Sequence, residues 1–352
     1  MNNIELNKVA IQSIGIDTIR LPGVGSASAK GSGSLFHKSL VDAWFMSGYS
    51  NDNLPASISG YKGHELVLKN FAFAGSSGFG KYSVNKTTWV NTNRCERIDV
   101  DYLTYTFVNI TESNNSILQY VEGGTRFSAV GNIVKVRVAG IPEGGKVNIG
   151  NYITNITEDG VYEKSYTYDT NGNTSISTAN CIGATITVEF LPDNAGSLVF
   201  DGVDDYAVCD NMPIQTDYTV ICRRQIGDKQ DDNETVVASK SLSYDTGAFI
   251  FELLKNSTND QCRSFGTLSS ILVEKSDSIS YQTSTSYNGT NITKGTGTDT
   301  DILYLGDTRK GDNRYLYGAI YYFALYDKSL TPDEIEQEKI KLNEIWTKRL
   351  NR

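Results

Sequence analysis

The chain has 352 residues, of which 39% are apolar and 21% charged, and its formal net charge is −9 at pH 7. This length and apolar content suit two or three domains with packed cores. The acidic balance and the lack of a basic run exclude a nucleic-acid backbone as the expected partner. No uninterrupted apolar stretch reaches the ~18 residues that predict a membrane span, and the N-terminal residues do not have the pattern of a signal peptide.

Cysteine and histidine usage argues against metal or nucleophilic chemistry. The five cysteines are scattered without a C-x-x-C pair, and the chain has only two histidines, His37 and His64. Neither a zinc set at the usual spacings nor a Ser/His or Cys/His catalytic pair is supported. We therefore expect buried free thiols and no catalytic residues.

The first part of the chain divides by composition. Residues 1–35 are predicted to form an extended tether, because 22–34 combine four glycines with small polar residues. Residues 36–130 are predicted to form a β-rich anchoring module. His64–Ala74 and Val100–Ile110 are its best strand candidates, since apolar and polar residues alternate along the second one.

Residues 131–192 are predicted to form a small β-sandwich that acts as a spacer. Apolar side chains alternate with polar ones from Val134 to Val138 and from Ile186 to Phe190, which indicates strands buried on one face. Glu143-Gly-Gly and Thr170-Asn-Gly-Asn are turn signals between strands.

The last segments are a run of short strands and one helix. Residues 193–345 consist of short apolar or alternating runs separated by Gly, Asn, Asp and Ser clusters, which predicts many antiparallel strands. Residues 331–350 are predicted to be a helix, with Thr331 as N-cap and Glu334 completing a capping box. An apolar stripe that includes Leu342 and Trp346 is expected to pack back onto the strands.

Two sets of residues resemble known families. The opening Phe200-Asp-Gly-Val-Asp-Asp-Tyr206 and the closing Gly318–Ile335 resemble the laminin-G-like (concanavalin A-like) jelly roll. The resemblance implies a two-sheet sandwich over 193–345, with its first and final strands side by side, in a fold used mostly for recognition. The stretch 40–60, together with Asn70–Ala74, is similar to the N-terminal module of structural proteins from tailed phages of gut Bacteroidales, the crAss-like phages among them.

Two motifs that invite an enzymatic interpretation are incomplete. Gly75–Lys81 meets the G-x-x-x-x-G-K part of a phosphate-binding loop, but Tyr82 stands where Ser or Thr is required and no helix follows. In Glu96–Asp101, the two aspartates share one face of a strand while Glu96 points to the other. We therefore expect a solvated face there and no catalytic carboxylate pair.

Acidic residues leave calcium open as an alternative. Asp201, Asp204 and Asp205, with Asp299 and Asp301, could place oxygens around calcium, and some laminin-G-like proteins bind it. Turn and strand requirements also account for these aspartates, so no cofactor and no metal ligand is predicted. Asp169–Asn173 lacks the distal Glu of a calcium loop and is predicted to be a hairpin turn.

A carbohydrate site requires an aromatic platform and planar hydrogen-bonding side chains at a loop rim. Two polar loops between predicted strands have these ingredients, by analogy with lectins of the resembling fold. The candidate ligand-binding residues are Tyr244, Asp245, Asp307, Arg309, Asn313 and Arg314.

Together these observations predict an all-β, non-enzymatic protein. The leading hypothesis is a phage virion structural or decoration protein, a head or tail fibre made in the host cytoplasm. Its expected partners are capsid or tail proteins, further copies in a homotrimer that covers edge strands, and carbohydrate on the bacterial surface. The alternatives are a bacterial surface carbohydrate-binding adhesin, which needs an export signal, and a glycoside hydrolase on the same fold.

Overall fold

The structure is a computed structural model, and part of the chain is described. The described residues are 35–51, 54–73, 77–80, 89–91, 93–101, 104–112, 115–120, 132–150, 153–166, 175–192, 194–227, 234–241, 246–254, 260–308 and 313–351. The predicted tether lies outside them except for Leu35.

Antiparallel strands and one C-terminal helix make up the described secondary structure, which confirms the all-β prediction. The first four strands are β1 (Leu40–Phe45), β2 (Ser57–Ser59), β3 (Glu65–Lys69) and β4 (Gly78–Phe79). The next ten are β5 (Trp89–Asn91), β6 (Cys95–Asp101), β7 (Thr104–Ile110), β8 (Asn115–Tyr120), β9 (Asn132–Ala139), β10 (Lys146–Ile149), β11 (Ile153–Ile156), β12 (Gly160–Tyr166), β13 (Ser175–Ala179) and β14 (Ile186–Phe190).

The remaining strands precede the helix. They are β15 (Leu198–Asp201), β16 (Tyr206–Cys209), β17 (Thr219–Ile226), β18 (Thr235–Lys240), β19 (Phe249–Leu254), β20 (Gln261–Ser264), β21 (Thr267–Ser270), β22 (Ser278–Thr283), β23 (Ser286–Tyr287), β24 (Thr290–Asn291), β25 (Leu303–Leu305) and β26 (Tyr317–Tyr326). The helix α1 is Pro332–Leu350.

Two eight-stranded sheets, counted over the described residues, form what we call the large sandwich. One sheet has the order β24-β23-β22-β17-β26-β15-β4, with β1 also paired to β26, and the other has the order β2-β3-β16-β25-β18-β19-β20-β21. Apolar side chains of both sheets meet in one buried core, with Trp44, Phe200 and Phe323 from the first and Phe249 and Leu305 from the second.

The long strand β26 organises the first sheet. β15 pairs with its first half, where Leu198 lies opposite Ile320 and Phe200 opposite Gly318. β1 pairs with its second half on the same edge, with Phe45 opposite Tyr322. The predicted adjacency of the first and final strands is therefore confirmed, and β1 extends that edge.

The small sandwich consists of β5 to β14. Its two five-stranded sheets have the orders β11-β10-β13-β8-β5 and β12-β9-β14-β7-β6 among the described residues. The predicted alternation is confirmed, because Val134, Val136 and Val138 are buried. The intervening Lys135 and Arg137 form ion pairs on the other face.

The strand pairing divides the chain differently from the predicted boundaries. Strands β1 to β4, predicted to belong to an anchoring module over 36–130, hydrogen-bond within the large sandwich. Strands β5 to β8 pair with the strands of the predicted spacer. Because β1 to β4 pair with strands that follow β14, the large sandwich contains both the start and the end of the described chain. The small sandwich, β5 to β14, is inserted in the chain between β4 and β15.

One strand prediction was wrong. The run Val100–Ile110 was expected to be a single strand, but it holds the end of β6 and all of β7, which pair with each other from Asp101 opposite Thr104. Both halves have strand-like composition, so the alternation did not reveal the reversal between them.

The helix confirms its prediction. Thr331 Oγ1 accepts a hydrogen bond from the Glu334 amide at 3.3 Å. A Glu334 carboxylate oxygen accepts a hydrogen bond from the Thr331 amide at 2.8 Å. Leu342 and Trp346 pack with Tyr322 in a second core on the outer face of the first sheet. Within the described residues, no helix combines the length and apolar character needed to cross a bilayer.

Candidate functional site

A buried ion pair spans the core of the large sandwich. The guanidinium of Arg224 on β17 donates to both carboxylate oxygens of Glu252 on β19, at 2.6 and 2.8 Å, and both side chains are fully buried. Tyr287 also donates to Glu252, at 2.7 Å. Burial by itself would lower the pKa of Arg224, but Glu252, with smaller contributions from Tyr287 and Cys222, raises it above its ordinary value, so the guanidinium stays charged. The pair is closed to solvent and joins the sheets.

Backbone irregularities place these two charges in the core. The register between β17 and β26 shifts between Arg223 and Arg224, and the register between β19 and β20 shifts between Ile250 and Leu253. Glu252 has a φ of 55°, in the left-handed region that non-glycine residues seldom adopt. A bulge reverses the face to which the following side chains point, so a charge can enter the core there.

A second buried ion pair corrects the calcium alternative. Asp299 pairs with Lys240, and both side chains are fully buried. The other contacts of the Asp299 carboxylate are the backbone amides of Gln215, Ala248 and Thr300. Burial lowers the pKa of Lys240, and Asp299 opposes that shift. Asp299 therefore has no oxygen left for calcium and does not join the other aspartates.

The three remaining strand-end aspartates do come together. Asp201, Asp204 and Asp205 each offer one carboxylate oxygen, and these oxygens lie within 4.8 Å of one another. We call residues 201–205 the acidic turn. It links β15 in one sheet of the large sandwich to β16 in the other. Asp301, predicted as a further oxygen donor, is not part of this group among the described residues.

Hydrogen bonds define the shape of the acidic turn. The Val203 amide donates to Asp201 Oδ1 at 2.8 Å, and the Asp201 amide donates to Asp205 Oδ2 at 2.9 Å. Gly202 has a φ of 78°, which favours glycine at that position. The side chain of Asn70, the residue that follows β3, also donates a hydrogen bond to the Asp204 carbonyl at 2.9 Å and supports the turn.

Asp205 is the unusual member of the acidic turn. Its side chain is fully buried, and its Oδ1 atom has no hydrogen-bond partner. Burial raises the pKa of Asp205 to about 7; the Asp201 amide and the Ser77 hydroxyl offset part of this rise, and the charge of Asp201 adds to it. The site therefore combines a buried carboxyl, a half-buried one at Asp201 and an exposed one at Asp204.

The predicted carbohydrate residues do not form one exposed set. Asp307 is fully buried, and its Oδ1 accepts the Thr308 amide at 2.6 Å. Arg314 donates to Glu234 at 2.6 Å in a half-buried ion pair. Asn313 is exposed, with a φ of 57°. Tyr244, Asp245 and Arg309 lie outside the described residues.

The two histidines have structural partners: His37 Nδ1 lies 2.7 Å from the Ser39 hydroxyl, and the His64 ring contacts Asp42. The carboxylate of the buried Asp42 accepts a hydrogen bond from the His64 ring at 2.8 Å. It also accepts hydrogen bonds from the backbone amides of Ala43, Lys62 and His64. A Cβ added at Gly60 would lie 2.4 Å from Asp42 Oδ2, so the turn closes tightly around this carboxylate. Sequence reasoning missed the Asp42–His64 contact, because the two residues share no motif.

The other motifs identified in the sequence are a run of carboxylates, a partial phosphate-binding loop, a predicted turn and the cysteines. Glu96 and Asp99 are exposed on β6, which confirms the predicted solvated face for these two residues. The phosphate-loop motif lies partly outside the described residues, and its Gly78 and Phe79 form β4. The predicted turn at 169–173 lies outside them. All five cysteines are buried free thiols, as predicted, and burial raises the pKa of Cys209 to about 12.

A scan against models of protein families finds no match for this chain. A search of curated proteins likewise finds no match.

Proposed function

We propose that this chain is a structural or decoration protein of a phage virion, a head or tail fibre component. In this role the large sandwich presents a recognition surface to carbohydrate on the host cell. The observation that carries the proposal is the antiparallel pairing of β15 with β26. These strands hold the two sequence segments that resemble the laminin-G-like fold, and that fold serves mostly as a recognition module.

The carboxylate geometry supports a binding role over the glycoside hydrolase alternative. A retaining hydrolase holds two carboxyl groups about 5 Å apart, and both must reach the scissile bond. Asp201 and Asp205 are close enough, but Asp205 is fully buried. A carboxyl group without solvent exposure cannot contact a polysaccharide.

The proposed oligomer is a homotrimer, and the lengths of the edge strands indicate which sandwich forms the contacts between subunits. The described edges of the large sandwich are the short strands β2, β4, β21 and β24, none longer than four residues, and the six-residue β1, which pairs only with β26 among the described strands. The edges β6 and β12 of the small sandwich are seven residues long. Because long edges attract further strands, contacts between subunits are expected at the small sandwich.

Immunogold electron microscopy tests the virion role. Antibodies raised against the full chain are applied to purified particles of a tailed phage that encodes it. We expect gold label at one position on the capsid or tail. Particles free of label, with the protein confined to the lysate, would exclude a virion component.

Glycan binding and mass test the recognition role and the oligomer separately. Light scattering should give about three times the 38.7 kDa of one chain; a single-chain mass would contradict the trimer. The full chain should retain host surface polysaccharide, and Asn313→Gly should weaken this retention. The matched control is Asn211→Gly, since both residues are exposed and left-handed. Equal retention of the two variants would exclude the loop at 313 as the contact.

A further inference from the structure

We propose that Lys240 and Asp299 join covalently, through an amide (isopeptide) bond between their side chains. Lys240 is the last residue of β18, and Asp299 lies in the segment that leads to β25, the strand that pairs with β18. Both side chains are fully buried, and Lys240 Nζ is in direct contact with Asp299 Oδ2. The amine nitrogen therefore lies beside an oxygen of the carboxyl group whose carbon it would attack.

The two buried ion pairs of the large sandwich differ in their chemistry. An arginine stays protonated in proteins, so the contact of Arg224 with Glu252 remains ionic. A lysine loses its proton more readily when it is buried, and a desolvated lysine amine is a nucleophile. Burial lowers the pKa of Lys240, although Asp299 and Asp301 oppose that shift. Of the two pairs, the lysine pair is therefore the one that can react.

Backbone amides hold the Asp299 carboxyl group in an arrangement that suits amide formation. Its Oδ1 accepts hydrogen bonds from the amides of Thr300 at 2.7 Å and Ala248 at 3.2 Å. These donors would stabilise the negative charge that develops on Oδ1 when nitrogen adds to the carbon. Oδ2 accepts the Gln215 amide at 2.7 Å and faces Lys240. One oxygen is thus placed to hold the charge and the other to leave.

The reaction balances without an oxidant, a reductant or a cofactor. A proton passes from the Lys240 ammonium to Asp299 Oδ2, because burial disfavours the charged forms. The lone pair of Nζ forms a bond with Asp299 Cγ, the Cγ–Oδ2 bond breaks, and Oδ2 leaves as water with that proton and a second one from Nζ. Fixed proximity favours the step, since effective molarities reach ~10⁵–10⁸ M in well-oriented intramolecular reactions.

The surroundings also satisfy the amide product. Its carbonyl oxygen, the former Oδ1, keeps the Thr300 and Ala248 amides as donors. Its remaining N–H has an acceptor in the Pro213 carbonyl, 2.8 Å from Nζ. An ammonium group has three hydrogens, but within the described residues Nζ contacts two acceptors, Asp299 and Pro213. The amide therefore pairs its donor, whereas the ammonium keeps one hydrogen without a described acceptor.

The bond would change the covalent topology of the large sandwich. Lys240 and Asp299 are 59 positions apart in the chain, and β19 to β24 lie between them. These strands would therefore belong to a closed covalent loop. Closing a loop restricts the unfolded chain, as a disulfide does, so the bond would stabilise the fold.

Intact mass spectrometry of the denatured full chain tests the proposal. We expect a mass that is lower than the value calculated from the sequence by one water molecule. Lys240→Arg keeps the positive charge but cannot form the amide, so its mass should equal its calculated value. The matched control Lys275→Arg makes the same substitution at an exposed lysine and should retain the loss of water.

Digestion with trypsin locates the bond. Trypsin does not cleave after an acylated lysine, so residues 230–255 should remain one peptide, joined to residues 295–309. An ion pair would instead give 230–240, 241–255 and 295–309 as separate peptides. Because this measurement uses the unmodified chain, it decides the question even if Lys240→Arg does not fold.

Two results would overturn the proposal. One is an unmodified chain at its calculated mass. The other is a loss of water that leaves the three peptides separate or that Lys240→Arg also shows, as cyclisation at Asp201-Gly202 would give. Either result would leave Lys240 and Asp299 as a buried ion pair.

Discussion

The two sandwiches of this chain build their cores in different ways. The small sandwich is lined by aliphatic and aromatic side chains such as Val136, Ile186 and Phe190, which alternate with polar residues along each strand. The large sandwich also has an extensive apolar core, but the Arg224–Glu252 ion pair crosses it. Among the described residues, the core of the small sandwich therefore holds no charged side chain, whereas the core of the large sandwich holds an ion pair.

The difference shows what each kind of core requires. An alternating apolar core needs strands with an unbroken period of two residues. In a buried ion pair, both charged groups must lie in the core within hydrogen-bonding distance of each other, and their remaining donors and acceptors also need hydrogen bonds. The register shifts beside Arg224 and Glu252 allow both side chains to point into the core, where they meet. Such pairs add little net stability but penalise any arrangement that separates them.

Breaking the buried ion pair should have the largest effect. Glu252→Gln keeps the size of the side chain but leaves the charge of Arg224 without its partner, and should lower the free energy of unfolding by about 3–5 kcal/mol. Urea titration measures this change. The double variant Arg224→Met, Glu252→Leu should recover most of the loss, because it removes both charges. A double variant as unstable as the single one would contradict this account.

A cavity in the small sandwich should cost somewhat less and stay local. Ile186→Ala removes part of a fully buried side chain and should destabilise by about 3 kcal/mol. Hydrogen exchange should accelerate in β9 and β14 more than in β17 and β26. The control is Ile182→Ala, at a position 66% exposed, which should change stability by less than about 0.5 kcal/mol. Equal acceleration in both sandwiches would show that they unfold together.

The acidic turn gives the large sandwich a pH dependence of its own. The folded pKa of Asp205 is about 7 and its ordinary value is 3.8, so the folded state binds the extra proton between these values. In the presence of EDTA, the contribution of this group to the free energy of unfolding is greatest below about pH 4. The free energy of unfolding then decreases as the pH rises to about 7, by at most ~1.4 kcal/mol per pH unit. Asp205→Asn should flatten this fall. A pH profile that Asp205→Asn leaves unchanged would disprove the assignment.

The helix cap should give the smallest effect, again in the large sandwich. Thr331→Ala removes the side-chain oxygen that accepts the Glu334 amide and should destabilise by about 1 kcal/mol. Thr331→Ser keeps that oxygen and should be close to neutral. Thermal unfolding followed by circular dichroism distinguishes them, and equal Tm values for the two variants would refute a capping role.

Several features of the fold were predictable because their determinants are local. The capping box at Thr331 predicted the start of the helix, and the alternation around Val136 predicted a strand buried on one face. The predicted pairing of the strands at Phe200 and Ile320 came from a family resemblance, and the structure confirms it. The large sandwich's use of β1 to β4 was missed, because a strand does not encode which distant strand will pair with it.

The candidate site was predictable in part. The sequence identified Asp201, Asp204 and Asp205 as a candidate oxygen cluster, since five consecutive residues cannot lie far apart. It also grouped Asp299 with them, which the structure corrects by pairing Asp299 with Lys240. Asp307 was expected at a surface loop and is buried. Burial depends on the neighbouring strands, so the local sequence of a polar loop does not reveal it.

The sequence by itself determined the strand-rich character of this protein, the capped helix and the one-sided burial of the small sandwich. These properties depend on side-chain period and on contacts among near neighbours in the chain. Only the tertiary structure decided which strands share a sheet, which charges meet in the core and which carboxylate loses its solvent. Those outcomes depend on pairing across long chain separations, where β1 meets β26 and Arg224 meets Glu252.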